Sequence, residues 1–93
     1  KADPRIADMI PGFLRNRRQD VAAILDALDR GDFETVASLG HGMKGAGGSW
    51  GFQPITDIGA ALEIAAGRAD TDASRRCAGE LSGYLDRVEV VAG

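Results

Sequence analysis

The chain has 93 residues, a length that gives a single domain with one modest hydrophobic core. Apolar residues make up 44% and charged residues 27% of it, a composition typical of an ordered globular protein. The net charge of −3 argues against a nucleic-acid-binding protein, which normally carries a basic surface. No apolar run reaches the length of about 18 residues that a membrane span needs. We therefore expect residues 1–93 to form one domain.

The first predicted helix begins at Pro11, because proline is favoured as a first helical residue. The pattern leaves open a short extra helical turn before Pro11. The helix is predicted to end at Gly31, a residue type that commonly terminates helices. Its apolar positions recur with helical spacing and are expected to face the core: Leu14, Val21, Ile24, Leu25 and Leu28, with Phe13 at the edge.

The second predicted helix follows Asp32, whose side chain can cap it, and ends near Gly51. The residues on one face of this helix are apolar or small: Phe33, Val36, Ala37, Gly40, Met43, Gly47 and Trp50. Six glycines fall between Gly40 and Gly51. Glycine costs up to about 1 kcal/mol relative to alanine inside a helix, so this density requires a structural or functional reason.

A third helix is predicted to open at Pro54 and to end between Gly67 and Asp70. A fourth is predicted to be capped by Thr71 or Asp72. The residues expected to face the core in these two helices are Ile55, Ile58, Leu62, Ala65, Cys77, Leu81, Leu85 and Val88. Four helices with short connections predict an all-α, antiparallel up-and-down four-helix bundle.

The only histidine, His41, is predicted to point away from the apolar stripe of the second helix. Gly45 and Gly48 lie one and two turns further along on the same side, so few side chains would surround the imidazole. A neutral imidazole is a nucleophile near neutral pH and can carry a phosphoryl group on a ring nitrogen. Lys44, three residues on, is within reach of a group attached to His41.

A second cation is predicted from the first helix. If the first two helices form a hairpin that turns at Gly31, Arg17 lies level with Lys44 because both helices rise equally per residue. Arg17 also falls within the apolar stripe of its own helix, where a charge needs a partner or an edge position. We therefore expect Arg17 beside the His41 site.

The run from His41 to Gly51 resembles the signature of histidine-containing phosphotransfer (HPt) domains, H-x-x-K-G followed by a glycine six residues later. The Gly31-Asp32-Phe33 turn and the Leu62-Glu63 pair are also similar to this family, and the resemblance extends from Asp8 to Val90. It implies that the core of the domain lies in residues 8–90. Two features depart from the pattern: Gly40 replaces the usual alanine, and the stretch after Gly45 is unusually rich in glycine. Both are expected to loosen the helix.

The resemblance implies that His41 accepts a phosphoryl group from a receiver-domain aspartate and passes it to another. It implies that Lys44 supplies charge for the phosphate and that Gly45 gives steric access. The receiver would bring the Mg²⁺ and the catalytic groups, so we expect no cofactor, no metal and no autonomous kinase activity in this chain. Specificity for receivers or a hybrid histidine kinase is expected in surface residues around the histidine: Arg17, Glu34, Ser38, Gly42 and Gly48.

Other readings of the sequence stay open. The chain could be a degenerate HPt bundle that binds receivers without phosphotransfer. The phosphoacceptor domain of a histidine kinase also exposes a helical histidine, but an acidic residue usually follows it, and Gly42 stands here. One histidine and one cysteine, Cys77, cannot form a closed zinc site or an internal disulfide. We expect a cytoplasmic, bacterial monomer that contacts neither membrane nor nucleic acid.

Overall fold

A computed structural model describes the backbone of residues 4–92 and the side chains of residues 9–88. It contains four helices: α1 (Pro4–Asp29), α2 (Phe33–Trp50), α3 (Gln53–Gly67) and α4 (Thr71–Ala92). Residues 4–92 contain no strand, which confirms the all-α prediction. None of these helices combines the length and apolar content needed to cross a membrane.

The helices pack in a ring in which each contacts two neighbours: α1 packs on α2 and α4, and α3 packs on α2 and α4. Because successive helices are joined by short turns, neighbours in sequence run antiparallel, as predicted. All four helices contribute fully buried side chains to one core, including Ile24, Met43, Leu62 and Leu81. Since α2 and α4 lie diagonally across the ring, the outer face of α2 is open to solvent between α1 and α3.

The first three helices end in the same hydrogen-bond pattern. At the end of α2, the N–H of Phe52 donates to the carbonyl of Gly47, and Gly51 adopts a left-handed conformation with φ 81°. Gly31 plays the equivalent part after α1, with φ 69°. This is the Schellman arrangement, which satisfies carbonyls at a helix end and reverses the chain. After α3, which ends at Gly67 as predicted, the left-handed residue is Ala69, with φ 53°.

Aspartates cap two of the helices. The Asp32 carboxylate accepts hydrogen bonds from the backbone N–H and hydroxyl of Thr35, as expected for the cap of α2. The prediction that Thr71 or Asp72 caps α4 is wrong, because Asp70 does so by accepting from the Ala73 N–H. Thr71 is already the first helical residue.

The predicted start of the first helix is wrong. The helix begins at Pro4, and Pro11 lies inside it. The extra helical turn that the sequence left open is present, and it is part of a continuous α1. The proline signal for a helix start applies to Pro4, which sits in the first turn where a missing N–H costs nothing.

The expected core face of α1 needs one correction. Leu25 was assigned to the core, but its side chain is 38% exposed. Leu25 follows Ile24 directly, so the two side chains project about 100° apart around the helix axis. The core contact centres on Ile24 and Leu28, both nearly fully buried, and Leu25 falls outside it. Phe13, expected at the edge, is buried.

The glycines at the α2–α3 contact let the two backbones touch. A Cβ added at Gly59 would lie 2.6 Å from the Gly40 carbonyl oxygen and 2.6 Å from the Lys44 nitrogen. A Cβ added at Gly47 would lie 2.6 Å from the backbone nitrogen of Thr56. No real Cβ tolerates backbone atoms at these distances, so side chains at these positions would force the helices apart. Gly40, which we expected to loosen the helix, instead forms part of this contact.

We predict that Gly59→Ala destabilises the protein by about 1–3 kcal/mol, the usual cost of overpacking a rigid contact. Gly79→Ala is the control, because its Cβ would meet no atom within 4 Å on helix α4. That variant should instead gain about 0.5–1 kcal/mol from reduced chain entropy. Chemical denaturation measures both. Equal stabilities would contradict the close approach of α2 and α3.

Candidate functional site

His41 lies in the middle of α2 with its side chain 72% exposed. The buried residues of α2 are Val36, Gly40, Met43 and Gly47, so the imidazole projects well away from the core stripe. Helical geometry places it on the side of α2 that faces α3. The exposure expected from the sequence is therefore observed, and α3 is the helix that supplies the neighbour.

A single carboxylate, Glu63 of α3, contacts both His41 and Lys44 of α2. Its Oε2 lies 3.2 Å from His41 Nδ1, and its Oε1 lies 3.0 Å from Lys44 Nζ. The Gly40–Gly59 contact makes this possible, because it brings the α3 backbone against the turn of α2 that carries His41 and Lys44. The three side chains form a cluster that we call the His41 triad: His41, Lys44 and Glu63.

The triad determines which imidazole nitrogen is available for reaction. An ionised carboxylate can only accept hydrogen bonds, so its contact with Nδ1 is satisfied when Nδ1 carries the proton. In the neutral ring, Nε2 then holds the free lone pair. Since His41 is largely exposed and its Nδ1 faces Glu63, Nε2 is the nitrogen left to react with an approaching electrophile.

Glu63 is held in its ionised form. The hydrogen bond from Lys44 lowers the pKa of the Glu63 carboxyl below its ordinary value of 4.5, and the charges of Lys44 and His41 act in the same direction. Partial desolvation opposes this shift and is outweighed. The carboxylate therefore stays charged throughout the neutral range, as its role of hydrogen-bond acceptor requires.

The surface beside the imidazole has few side chains. Gly42 and Gly45 are exposed, and a Cβ built on either would meet nothing within 4 Å. Packing within the chain therefore does not require glycine at these two positions, in contrast to Gly40 and Gly47. Gly48 differs, because its Cβ would approach the Thr56 hydroxyl at 3.7 Å. The bare surface next to His41 is open to a large partner.

A shallow depression of about 400 Å³ adjoins the imidazole, lined by Ala37, Ser38, His41, Gly42 and Glu63. The structure thus brings two of the predicted partner-binding residues, Ser38 and Gly42, next to His41. Glu34 and Gly48 lie two turns before and two turns after His41, both exposed on the same side of α2. Their contact with a partner stays a prediction.

Arg17 has contacts elsewhere. Its Nε donates to the Asp20 carboxylate at 2.7 Å, and its guanidinium lies 4.9 Å from the centre of the Phe13 ring. It lines a groove with Ala46 and Trp50, on the side of α2 that faces α1. The register argument predicted how far along α2 Arg17 lies, but it did not predict which side of α2 Arg17 faces. None of the contacts described for residues 9–88 joins Arg17 to His41, and its role as a second cation stays a prediction.

Sequence reasoning did not assign a role to Glu63, although it noted the Leu62-Glu63 pair. The hairpin that α2 and α3 form could have indicated the position of Glu63. Had the register argument used for the first two helices been applied to the turn at Gly51, it would have placed Glu63 level with His41. The glycines on the α2 and α3 faces indicate the same pairing, because two backbones can approach closely only where both helices lack bulk.

The comparison with protein families agrees with this arrangement. The sequence model of the Hpt domain family matches residues 8–90, nearly the whole chain. The chain belongs to the Hpt family. No curated protein and no solved structure matched it. HPt domains are phosphocarrier modules of two-component phosphorelays that interact with receiver domains and histidine kinases, so the resemblance seen in the sequence is confirmed at the level of the family.

The described side chains of this HPt domain offer no evident site for a metal. Among residues 9–88, no group of three or more His, Cys, Asp and Glu side chains is placed to hold an ion. Cys77 is buried in the core, and desolvation raises the pKa of its thiol.

We predict that Lys44→Met raises the pKa of Glu63 toward its ordinary value of 4.5, because the Lys44 hydrogen bond is the largest cause of the shift. His41→Ala should raise it less. A carboxyl ¹³C NMR titration measures both. Because the folded-state pKa is lowered, the stabilisation from this contact is present above pH 4.5 and is lost as pH falls through the lowered pKa. A larger change in the His41 variant would contradict this ranking.

Proposed function

We propose that this HPt domain relays phosphoryl groups between receiver-domain aspartates through Nε2 of His41. The observation that supports this most directly is the contact of the Glu63 carboxylate with Nδ1 at 3.2 Å, which leaves Nε2 free on an exposed ring. The imidazole is thus prepared as a nucleophile before any partner arrives. Glu63 acts as a positioning residue, since it touches the ring and not the phosphoryl group.

The proposed reaction is a direct displacement at phosphorus. The lone pair of Nε2 attacks the phosphorus atom of a receiver aspartyl phosphate, and an N–P bond forms. The bond between phosphorus and the aspartate oxygen breaks, and the receiver carboxylate leaves with the electron pair. The proton on Nδ1 stays hydrogen-bonded to Glu63, so no proton has to be removed for the step. The reverse sequence delivers the group to a second receiver.

Lys44 supplies the positive charge that the product needs. Its Nζ pairs with Glu63 at 3.0 Å in the unphosphorylated domain, and its side chain is 44% exposed. Because it lies one turn from His41 on the same helix, it can reach a phosphoryl group on the ring. A charge-assisted contact from Lys44 to the phosphoryl oxygens then offsets the negative charge that arrives.

We propose that the receiver contributes the remaining machinery, including the Mg²⁺ and the catalytic groups. This domain then needs no cofactor and has no kinase activity of its own. The partners would be response-regulator receivers or a hybrid histidine kinase in the cytoplasm. The bundle itself disfavours the kinase phosphoacceptor alternative, because one chain supplies all four helices whereas that domain assembles its bundle from two chains.

We predict that a phosphorylated receiver labels the wild type and that His41→Ala abolishes the label, since His41 is the only histidine. The label should be acid-labile and alkali-stable, as expected of phosphohistidine. Circular dichroism controls for the fold of the variant, which removes an exposed side chain. A folded wild type that binds receivers but takes no label would indicate the degenerate, binding-only HPt.

We predict that Gly45→Leu lowers transfer from a receiver while the bundle stays folded. A Cβ there would meet no atom of the domain within 4 Å, so the added side chain is expected to obstruct a partner and not the bundle. The ratio of labelling by a phosphorylated receiver to labelling by a small donor, phosphoramidate, should fall about tenfold or more, which corresponds to roughly 1.4 kcal/mol. The control is Gly79→Leu on α4, also exposed and unobstructed. An unchanged ratio would remove Gly45 from the contact surface.

A further inference from the structure

A hydrogen bond from a side chain of α3 to the backbone of α2 joins the two helices. The Thr56 hydroxyl donates to the Lys44 carbonyl at 3.1 Å. Inside a helix, serine and threonine hydroxyls commonly donate to a carbonyl three or four residues back in the same helix. Ser49 and Ser74 do so here, each to the carbonyl four residues before it. Thr56 bonds to the neighbouring helix instead, at the residue that supplies the cation of the His41 triad.

The α2 backbone leaves space for this hydroxyl. A Cβ built at Gly47 would lie 2.6 Å from the Thr56 hydroxyl oxygen, and one built at Gly48 would lie 3.7 Å from it. The hydroxyl therefore occupies the space that a side chain at Gly47 would fill. Because a backbone carbonyl has two lone pairs, Lys44 can accept from Thr56 while it also accepts within α2. The bond thus ties α3 to α2 without opening the helix.

Thr56 lies on the same face of α3 as the residues that form the site. Seven residues return a helix to nearly the same angle, so Thr56 and Glu63 lie in line, about 10.5 Å apart along the axis. Gly59 lies between them. All three contact Lys44: Thr56 at its carbonyl, Gly59 against its backbone nitrogen and Glu63 at its ammonium group. Of the two backbone contacts, only the hydrogen bond is directional.

The contact between Glu63 and the imidazole tolerates little displacement of α2. The distance from Nδ1 of His41 to the carboxylate is 3.2 Å, at the long end of the normal range. A displacement of about 0.5 Å away from Glu63 would break this hydrogen bond. Gly42 and Gly45 lie on either side of Lys44, and glycine leaves the backbone more conformational freedom than any other residue. A bond to the Lys44 carbonyl therefore restrains α2 where its own sequence restrains it least.

We propose that Thr56 is a positioning residue, whose hydroxyl holds the Lys44 segment of α2 against α3 so that Glu63 keeps the proton on Nδ1 of His41. Thr56 acts through the backbone and touches neither the imidazole nor a phosphoryl group. The effect on phosphotransfer rests on the proposed function, in which Nε2 attacks phosphorus. The effect on the tautomer of His41 does not, so the two can be measured separately.

The test compares Thr56→Ala with Thr56→Ser. Both variants lack the threonine methyl group and differ from each other only in the hydroxyl, and neither adds an atom against α2. Alanine is the most favourable residue in a helix, so we expect Thr56→Ala to fold. The control is Ser49→Ala, which removes a hydroxyl whose hydrogen bond stays within α2. Circular dichroism and chemical denaturation establish the fold of each variant.

The first readout is the ¹⁵N NMR spectrum of the neutral His41 imidazole at alkaline pH, which reports the nitrogen that carries the proton. The wild type, Thr56→Ser and Ser49→Ala should hold the proton mainly on Nδ1, and Thr56→Ala should shift it toward Nε2. The second readout is labelling by phosphoramidate, which needs no receiver. Its rate should fall about fivefold in Thr56→Ala, the factor expected for loss of one hydrogen bond, and should be retained in the other two variants.

A Thr56→Ala protein with the tautomer and the labelling rate of the wild type would overturn the positioning role. A Thr56→Ser protein that behaves like Thr56→Ala would also overturn it, because the methyl group would then be the cause. The same losses in Ser49→Ala would attribute the effect to a general weakening of α2 and would count against the proposal as well. A shifted tautomer in Thr56→Ala without a label in any of the four proteins would support the positioning role and contradict the proposed function.

Discussion

The backbone contact between α2 and α3 is the constraint on which the site depends. Gly40 and Gly47 from one helix and Gly59 from the other remove the side chains that would normally separate two packed helices. Interhelical distances usually depend on the side chains at the contact, and here the contact has almost none. The Thr56 hydroxyl then donates across the interface to the Lys44 carbonyl, which fixes the two helices along their axes as well.

This close approach determines the electrostatic surroundings of the His41 imidazole. Glu63 has to reach two groups on the neighbouring helix, and the same carboxylate contacts His41 and Lys44 at 3.2 and 3.0 Å. A wider separation would leave Lys44 in solvent and the imidazole without a preferred tautomer. The glycines at the interface and those at the surface thus differ on one helix: Gly40 and Gly47 bring α3 near, whereas Gly42 and Gly45 leave the surface beside His41 without side chains.

Most of the fold could be predicted from the sequence, because hydrophobic spacing and turn residues act locally. The cap at Asp32 and the ends at Gly31 and Gly51 follow from such local signals. The exposure of His41 follows from them too. Local signals do not show on which side of a helix its neighbour packs. For this reason no role was predicted for Glu63, and Arg17 was predicted beside His41 although it contacts Asp20 and Phe13. The left-handed conformation of Ala69 also has no local signal, since alanine rarely adopts a positive φ.

The glycine content of α2 has a consequence for how the domain folds. Five glycines among its 18 residues cost the helix about 5 kcal/mol relative to alanine, an amount comparable with the net stability of a whole domain. An isolated peptide of this sequence would therefore be a random coil, and α2 becomes helical only as it docks on its neighbours. The helix that carries His41 is thus ordered mainly by tertiary contacts. Its integrity is coupled to that of the whole bundle, so a chain that has not finished folding lacks the arrangement of His41, Lys44 and Glu63.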